Sequence, residues 1–177
     1  MSLPIATTGL VLRPFRDSDL GALIAYRNDP EVARYQDWGG ISRDDARALI
    51  RAHTQDHLGI PGQWQQIAIT LAPGGGLIGD IGLFLRADGR SAELGFTLAR
   101  GYQGRGLARE ALAGLIGALF ERAELGRLEA VTDARNAAAM ALLARLGFTI
   151  GSTADAVFKG GVCREHSYIL NRCAAGS

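Results

Sequence analysis

The chain is poor in the residues that carry thiol and metal chemistry: 177 residues contain two cysteines and three histidines. Cys163 and Cys173 form no CxxC pair, and His53, His57 and His166 are scattered, so no metal-ligand spacing exists and the cysteines read as reduced structural thiols. An excess of charge is missing too. Nineteen Lys and Arg stand against eighteen Asp and Glu, for a net charge of +1, which disfavours non-specific nucleic-acid binding. No apolar run approaches the roughly 20 residues that span a bilayer, which argues against a membrane partner. Met1 to Gly9 lacks the basic start and apolar stretch of a secretory leader, so a cytoplasmic location is expected.

What is present is the material of one core. With 47% hydrophobic and 21% charged residues, residues 1–177 read as a single globular domain, apolar enough to allow a homodimer. Leu10 and Leu12 alternate as a first strand. Asp17 is placed to cap a helix carrying Leu20, Leu23 and Ile24, and Asp29-Pro30 opens a short helix through Ala33. Ser42 with Asp45 resembles a capping box, and Ala46, Leu49, Ile50 and His53 share the face that follows, making His53 a core-edge residue. From Trp64 the apolar period becomes two. Ile67 to Leu71, Ile81 to Leu85 and Ala92 to Leu98 predict an antiparallel meander, with Asp88-Gly89 turning its second hairpin. A long helix carries Leu107, Ala111, Leu112, Leu115 and Leu119, with Gly126 as its stop. Leu128 to Thr132 predicts a buried strand, Asn136 to Leu146 a helix closed by Gly147, and two last strands flank Gly160-Gly161.

The segment Gln103-Gly104-Arg105-Gly106-Leu107-Ala108 joins a strand to the start of that long helix. Free N–H groups and partial positive charge gather at a helix start, and glycines let an anion approach them. A tight turn that binds nothing is the plain alternative. A P-loop would need a Gly-Lys-Ser/Thr ending, and a dinucleotide fingerprint a small residue where Arg109 stands.

Gln103, Gly106 and Ala108 match the signature Gln/Arg-x-x-Gly-x-Gly/Ala, and Asn136, Ala139, Arg145, Gly147 and Phe148 match the Asn-x-x-Ala and Gly-Phe pattern beyond it. On these residues the chain resembles the GNAT N-acetyltransferases. Leu10 to Arg13, Val32 to Trp38 and Lys159 to Tyr168 are similar to the branch that acetylates ribosomal-protein amino termini, which also has relatives acting on small amines and aminoglycosides.

The resemblance implies an α/β (α+β) GNAT fold: a mixed central sheet with an antiparallel N-terminal meander, splayed parallel strands and flanking helices. It implies acetyl-CoA as cosubstrate, with its pyrophosphate on the backbone of Gln103, Gly104, Arg105, Gly106, Leu107 and Ala108, and its pantetheine arm along the strand ending at Leu98. Asn136 is expected to hold that arm, or simply to cap its helix. The acceptor is an amine-bearing small molecule or a protein N-terminus.

An alkyl ammonium with a pKa of about 10 must lose a proton before it attacks. Glu93, expected beside the acetyl group, is the candidate base acting through water; the plain alternative is a solvated strand glutamate. A backbone N–H near Leu98 is the expected oxyanion donor. The hydroxyls that relatives carry are replaced here by Ala139 and Leu143, which leaves a water, Tyr168 or direct thiolate departure for the last proton. Asp80 and Asp133 could help attract a cationic acceptor but read first as solvated surface acids, and Tyr35, Trp38 and Trp64 read as candidate walls of the acceptor pocket. A CoA-binding regulatory module with little catalysis is the rival from another class, kept open by the missing hydroxyls. A nicotinamide-dependent oxidoreductase is the remote third.

Overall fold

A computed structural model describes residues 1–121 and 124–172, with Phe158 as backbone only; Cys173 lies outside the described residues. The strands are β1 (Ile5–Ala6), β2 (Leu10–Arg13), β3 (Trp64–Leu71), β4 (Leu77–Leu85), β5 (Ser91–Leu98), β6 (Arg127–Asp133), β7 (Thr149–Phe158) and β8 (Gly161–Asn171). The helices are α1 (Leu20–Arg27), α2 (Pro30–Ala33), α3 (Arg43–Ala52), α4 (Leu107–Phe120) and α5 (Ala137–Arg145). All eight strands form one sheet in the order β1-β2-β3-β4-β5-β6-β8-β7. Every neighbouring pair is antiparallel except β5 with β6.

The alternation of the meander builds two cores. Ile67 and Ile69 of β3 pack with Leu112, Leu115 and Leu119 of α4 on one face. Ala68, one residue out of phase, joins Leu23, Tyr26, Ala46 and Ile50 under α1 and α3 on the other. A sheet covered on both faces buries its strands throughout, which is why seven of the first eight places in β4, a run containing Asp80, are buried. Each fully buried leucine contributes about 1.5–3 kcal/mol.

The expected elements occur where the sequence puts them, with three local differences. Ile5–Ala6 adds a short edge strand paired to β2. The acid that organises the entry to α1 is Asp19 rather than Asp17: it is buried, paired with Arg13 at 2.7 Å, and accepts the Arg16 N–H at 2.8 Å. Gly126 does not stop α4, which ends at Phe120; the Gly126 N–H instead bonds Arg90 O at 2.9 Å and leads the chain into β6. The Asp88-Gly89 turn is as expected. Gly89 has φ +67°, and Asp88 accepts the Arg90 N–H at 2.9 Å.

Candidate active site

The site exists because two neighbouring strands part. β5 and β6 pair only over Ser91–Glu93 with Arg127–Glu129, after which β6 follows β8 as far as Asp133 and the outer edge of Leu94–Leu98 is left without a strand. The Ala99 N–H bonds Ile78 O across β4, so by alternation Phe96 and Leu98 turn their backbone groups toward the gap. A groove of about 540 Å³ lies between β5, the Gln103–Ala108 turn and α5. A second cavity of about 450 Å³ lies beyond the strand. Tyr35, Gln36, Phe96 and Thr97 line both, so the two spaces meet at the gap.

The groove is walled by backbone. Gly104 and Gly106 have φ +70° and +78°, in the left-handed region that favours glycine, and a Cβ at either would meet nothing within 4 Å. Gly106 is the N-cap of the 14-residue helix α4. Among the described residues, no N–H from Gly104 to Arg109 has a protein acceptor; the first to bond is Glu110, to Gly106 O at 3.0 Å. Six consecutive free donors at a helix start, with open space before them, suit a diphosphate.

Gln103 differs from the expectation. Its N–H is spent on Arg100 O at 3.2 Å, and its side chain donates to Leu98 O at 2.9 Å, so it closes the turn while Arg109 joins the free donors. Asn136 lines the groove and caps α5, accepting the Ala139 N–H at 3.1 Å. Ala139 faces the groove, whereas Leu143 is buried in the core.

The second cavity is walled by side chains. Glu93 is half-buried there, and that burial raises its carboxyl above the ordinary value; the neighbouring Glu129 adds to the rise and Arg86 opposes it. Arg86 is 3.6 Å from Glu93 but 2.7 Å from Glu129, so the stronger pairing goes to Glu129. Trp38, Trp64 and Tyr35, the candidate walls of an acceptor pocket, all line this cavity. The Trp38 ring lies 4.6 Å from the Arg27 guanidinium.

Asp80 and Asp133 correct the sequence reading, which took them for solvated surface acids. Asp80 is 2% exposed, bonded to Arg27 at 2.6 Å and to the Tyr26 hydroxyl at 2.8 Å. Burial, with Asp80 beside it, raises the Tyr26 pKa well above 10.0. Asp133 is 5% exposed and holds the Arg135 side chain at 2.5 Å and its N–H at 2.8 Å. Each is buried and held by an arginine, the condition on which a buried acid persists.

Tyr168 falls outside the site, and His53 keeps the core-edge place expected of it. Tyr168 is buried in the main core and lines neither cavity, so it is not positioned to give up a proton there. The His53 ring nitrogen Nδ1 accepts the Gln66 N–H at 3.3 Å, and burial lowers its pKa from 6.5, both of which suit a neutral ring at the core edge. Cys163 is a buried free thiol, and no set of His, Cys, Asp and Glu among the described residues is arranged to hold a metal.

Three residues at the site carried no sequence signal that singled them out. Arg27 belongs to the face of α1 that looked merely like a helix end, and Gln36 lies in a turn. Glu165 lines the second cavity from β8 opposite Asp133; the strand alternation counted back from Tyr168 would have put it on one face with Ser167.

Comparison with known proteins agrees with this geometry. Residues 9–149 match the family model described as an acetyltransferase (GNAT) domain. The uncharacterized N-acetyltransferase p20 of Bacillus licheniformis is 31% identical over 144 residues, covering 80% of each chain. The fold superposes on the ribosomal-protein α-N acetyltransferase RimL in complex with coenzyme A, with TM-score 0.80 and 19% identity over 97% of this chain and 98% of that one. It also superposes on the spermidine N-acetyltransferase of Vibrio cholerae in complex with CoA and spermine, with TM-score 0.77 and 22% identity over 92% and 95% of the two chains. A split strand pair opening on a helix-start anion cradle, in a chain matched over residues 9–149, identifies this protein as a member of the GNAT family, an N-acetyltransferase that uses acetyl-CoA.

Proposed function

We propose that the protein transfers an acetyl group to a primary amine, either a protein N-terminus or a small cationic amine, as a single-domain enzyme with Glu93 as general base. The observation that carries this reading is the gap beside Leu94–Leu98, which has a row of free N–H donors on one side and a half-buried carboxylate on the other.

When bound, acetyl-CoA supplies an acetyl thioester. The N–H groups of Gly104 to Arg109 are the donors that would hold its diphosphate, and the open edge at Phe96 and Leu98 would take its arm as an added strand. The Leu98 N–H points to the gap and is the candidate oxyanion donor.

The acceptor arrives as an ammonium. Asp37, Asp80, Glu93, Asp133 and Glu165 line the cavity against one cation, Arg27. Asp80 is matched by Arg27 and Asp133 by Arg135, so Asp37, Glu93 and Glu165 supply the field that draws a cation inward. Glu93 takes the proton, directly or through one water. Burial raises its pKa, which makes it a stronger base than a solvated glutamate. Ala139 and the buried Leu143 offer no hydroxyl and Tyr168 lies in the core, which leaves solvent in the groove or direct thiolate departure for the last step.

The test has two stages. Thermal unfolding with acetyl-CoA, CoA and NAD(P) in parallel should show a raised midpoint with the CoA forms alone. An amine panel containing N-terminal peptides and small diamines should then show acetyl-CoA turnover. A shift with NAD(P) and none with CoA overturns the donor site; CoA binding without turnover on any amine overturns the acceptor reading and leaves the regulatory module.

A further inference from the structure

Two carbonyls on the open edge of β5 already have partners, and both partners are glutamine side chains. Gln103 donates to Leu98 O at 2.9 Å, a bond that closes the local turn. Gln36 donates to Phe96 O at 3.3 Å from 60 residues away, and this bond fastens the segment after α2 across the mouth of the gap. Gln36 and Tyr35 line both spaces, while Asp37 and Trp38 line the acceptor cavity.

The other polar ties of this segment go elsewhere. The Tyr35 hydroxyl donates to Arg135 O at 3.3 Å, and Lys159 Nζ donates to Ala33 O at 2.7 Å. Gln36 therefore makes the tie to the open strand edge. A CoA arm laid along that edge brings amide N–H groups of its own and needs the same carbonyl. Exchange of one neutral N–H donor for another costs little, and although a carbonyl has two lone pairs, the Gln36 side chain occupies the lining of the passage through which the arm must run.

We propose that Gln36 is a latch: it competes with the acyl donor for Phe96 O, and filling the groove releases the Tyr35–Trp38 wall of the acceptor cavity. The inference rests on the reading of the groove as the CoA site. It makes Gln36 a positioning residue that couples the two substrates, and the coupling is reciprocal, so each substrate alters the affinity of the other by the same factor.

The experiment uses CoA itself, without turnover. Gln36→Met keeps the length of the side chain and removes its donors, and Gln36→Ala removes the side chain. Calorimetric titration should show CoA binding about two- to tenfold tighter in both variants than in the native protein, because a competitor worth one hydrogen bond is gone. The second readout is fluorescence in a Trp64→Phe background, where Trp38 is the remaining tryptophan of the two in the sequence. CoA should change Trp38 emission when Gln36 is present and leave it unchanged once Gln36→Met is added. Unaltered or weaker CoA affinity in both variants overturns the latch, as does Trp38 emission indifferent to CoA in the protein with Gln36 intact, a result independent of how the variants fold. Failure of CoA to bind the native protein removes the groove assignment itself.

Discussion

The groove and the second cavity share one strand and are made of different materials. On the groove side the working groups are backbone N–H donors from Gly104 to Arg109, arranged by two left-handed glycines and a helix start. On the cavity side they are side chains drawn from α1, the turn after α2, and five strands, held by ion pairs that cross the fold, such as Arg27 with Asp80, which lie 53 residues apart. A backbone cradle tolerates most substitutions outside its glycines. A side-chain cavity takes its specificity from each residue, which is how one donor site can serve many acceptors in one family.

The sharpest way to test that contrast is Glu93→Gln, which keeps the shape of the side chain and removes the base. The expected loss in kcat/KM is about 10²–10⁴-fold, with CoA affinity unchanged by calorimetry. The sign of the pH effect follows from burial. Because the folded carboxyl titrates above its ordinary 4.5, the native rate falls as pH drops through that raised value, and the Gln variant lacks this acid limb.

Breaking the cavity's frame comes next. Asp80→Ala leaves Arg27 buried without its counter-ion, and the expected destabilisation is about 3–5 kcal/mol in denaturant unfolding. A loss under 1 kcal/mol would show that Arg27 re-pairs or reaches water.

Gly106→Val acts on the groove alone. The variant should keep its fold, since no neighbour lies within 4 Å of the new Cβ, at a backbone cost of about 1–2 kcal/mol for the left-handed φ. The Cβ stands where the diphosphate must approach, and CoA affinity should fall about tenfold or more, or at least 1.4 kcal/mol. Equal affinity would dissolve the cradle.

The smallest effect is expected at Asn136→Ala, which removes a helix cap. The predicted cost is about 1 kcal/mol in stability, with CoA affinity altered less than about threefold. A larger loss of CoA affinity than of stability would assign the Asn136 amide to the cofactor arm.

The elements were readable because each rests on local rules. Asp29-Pro30 and Ser42 cap the helices they precede, and the period-two apolar runs became β3, β4 and β5. Two misreadings arose where a partner was distant in sequence. Gly126 looked like a helix stop, yet its N–H bonds Arg90, and Asp80 looked solvated although Arg27 and Tyr26 enclose it. Tyr168 was one of the options left for the last proton by the missing hydroxyls at 139 and 143, and the fold puts it in the core instead.

By itself, the sequence determined the strand and helix order, the glycine turn at the start of α4, and through its motifs the family and its cosubstrate. These depend on residues within a few positions of one another, where backbone preference and periodicity act directly. Tertiary structure alone decided that the expected splay of β5 from β6 begins after Glu93, that Arg27 neutralises Asp80, that Glu165 lines the second cavity, and that Gln36 reaches Phe96. Each of those depends on side chains or strands brought together from distant parts of the chain, and a contact of that kind leaves no spacing in the sequence to read.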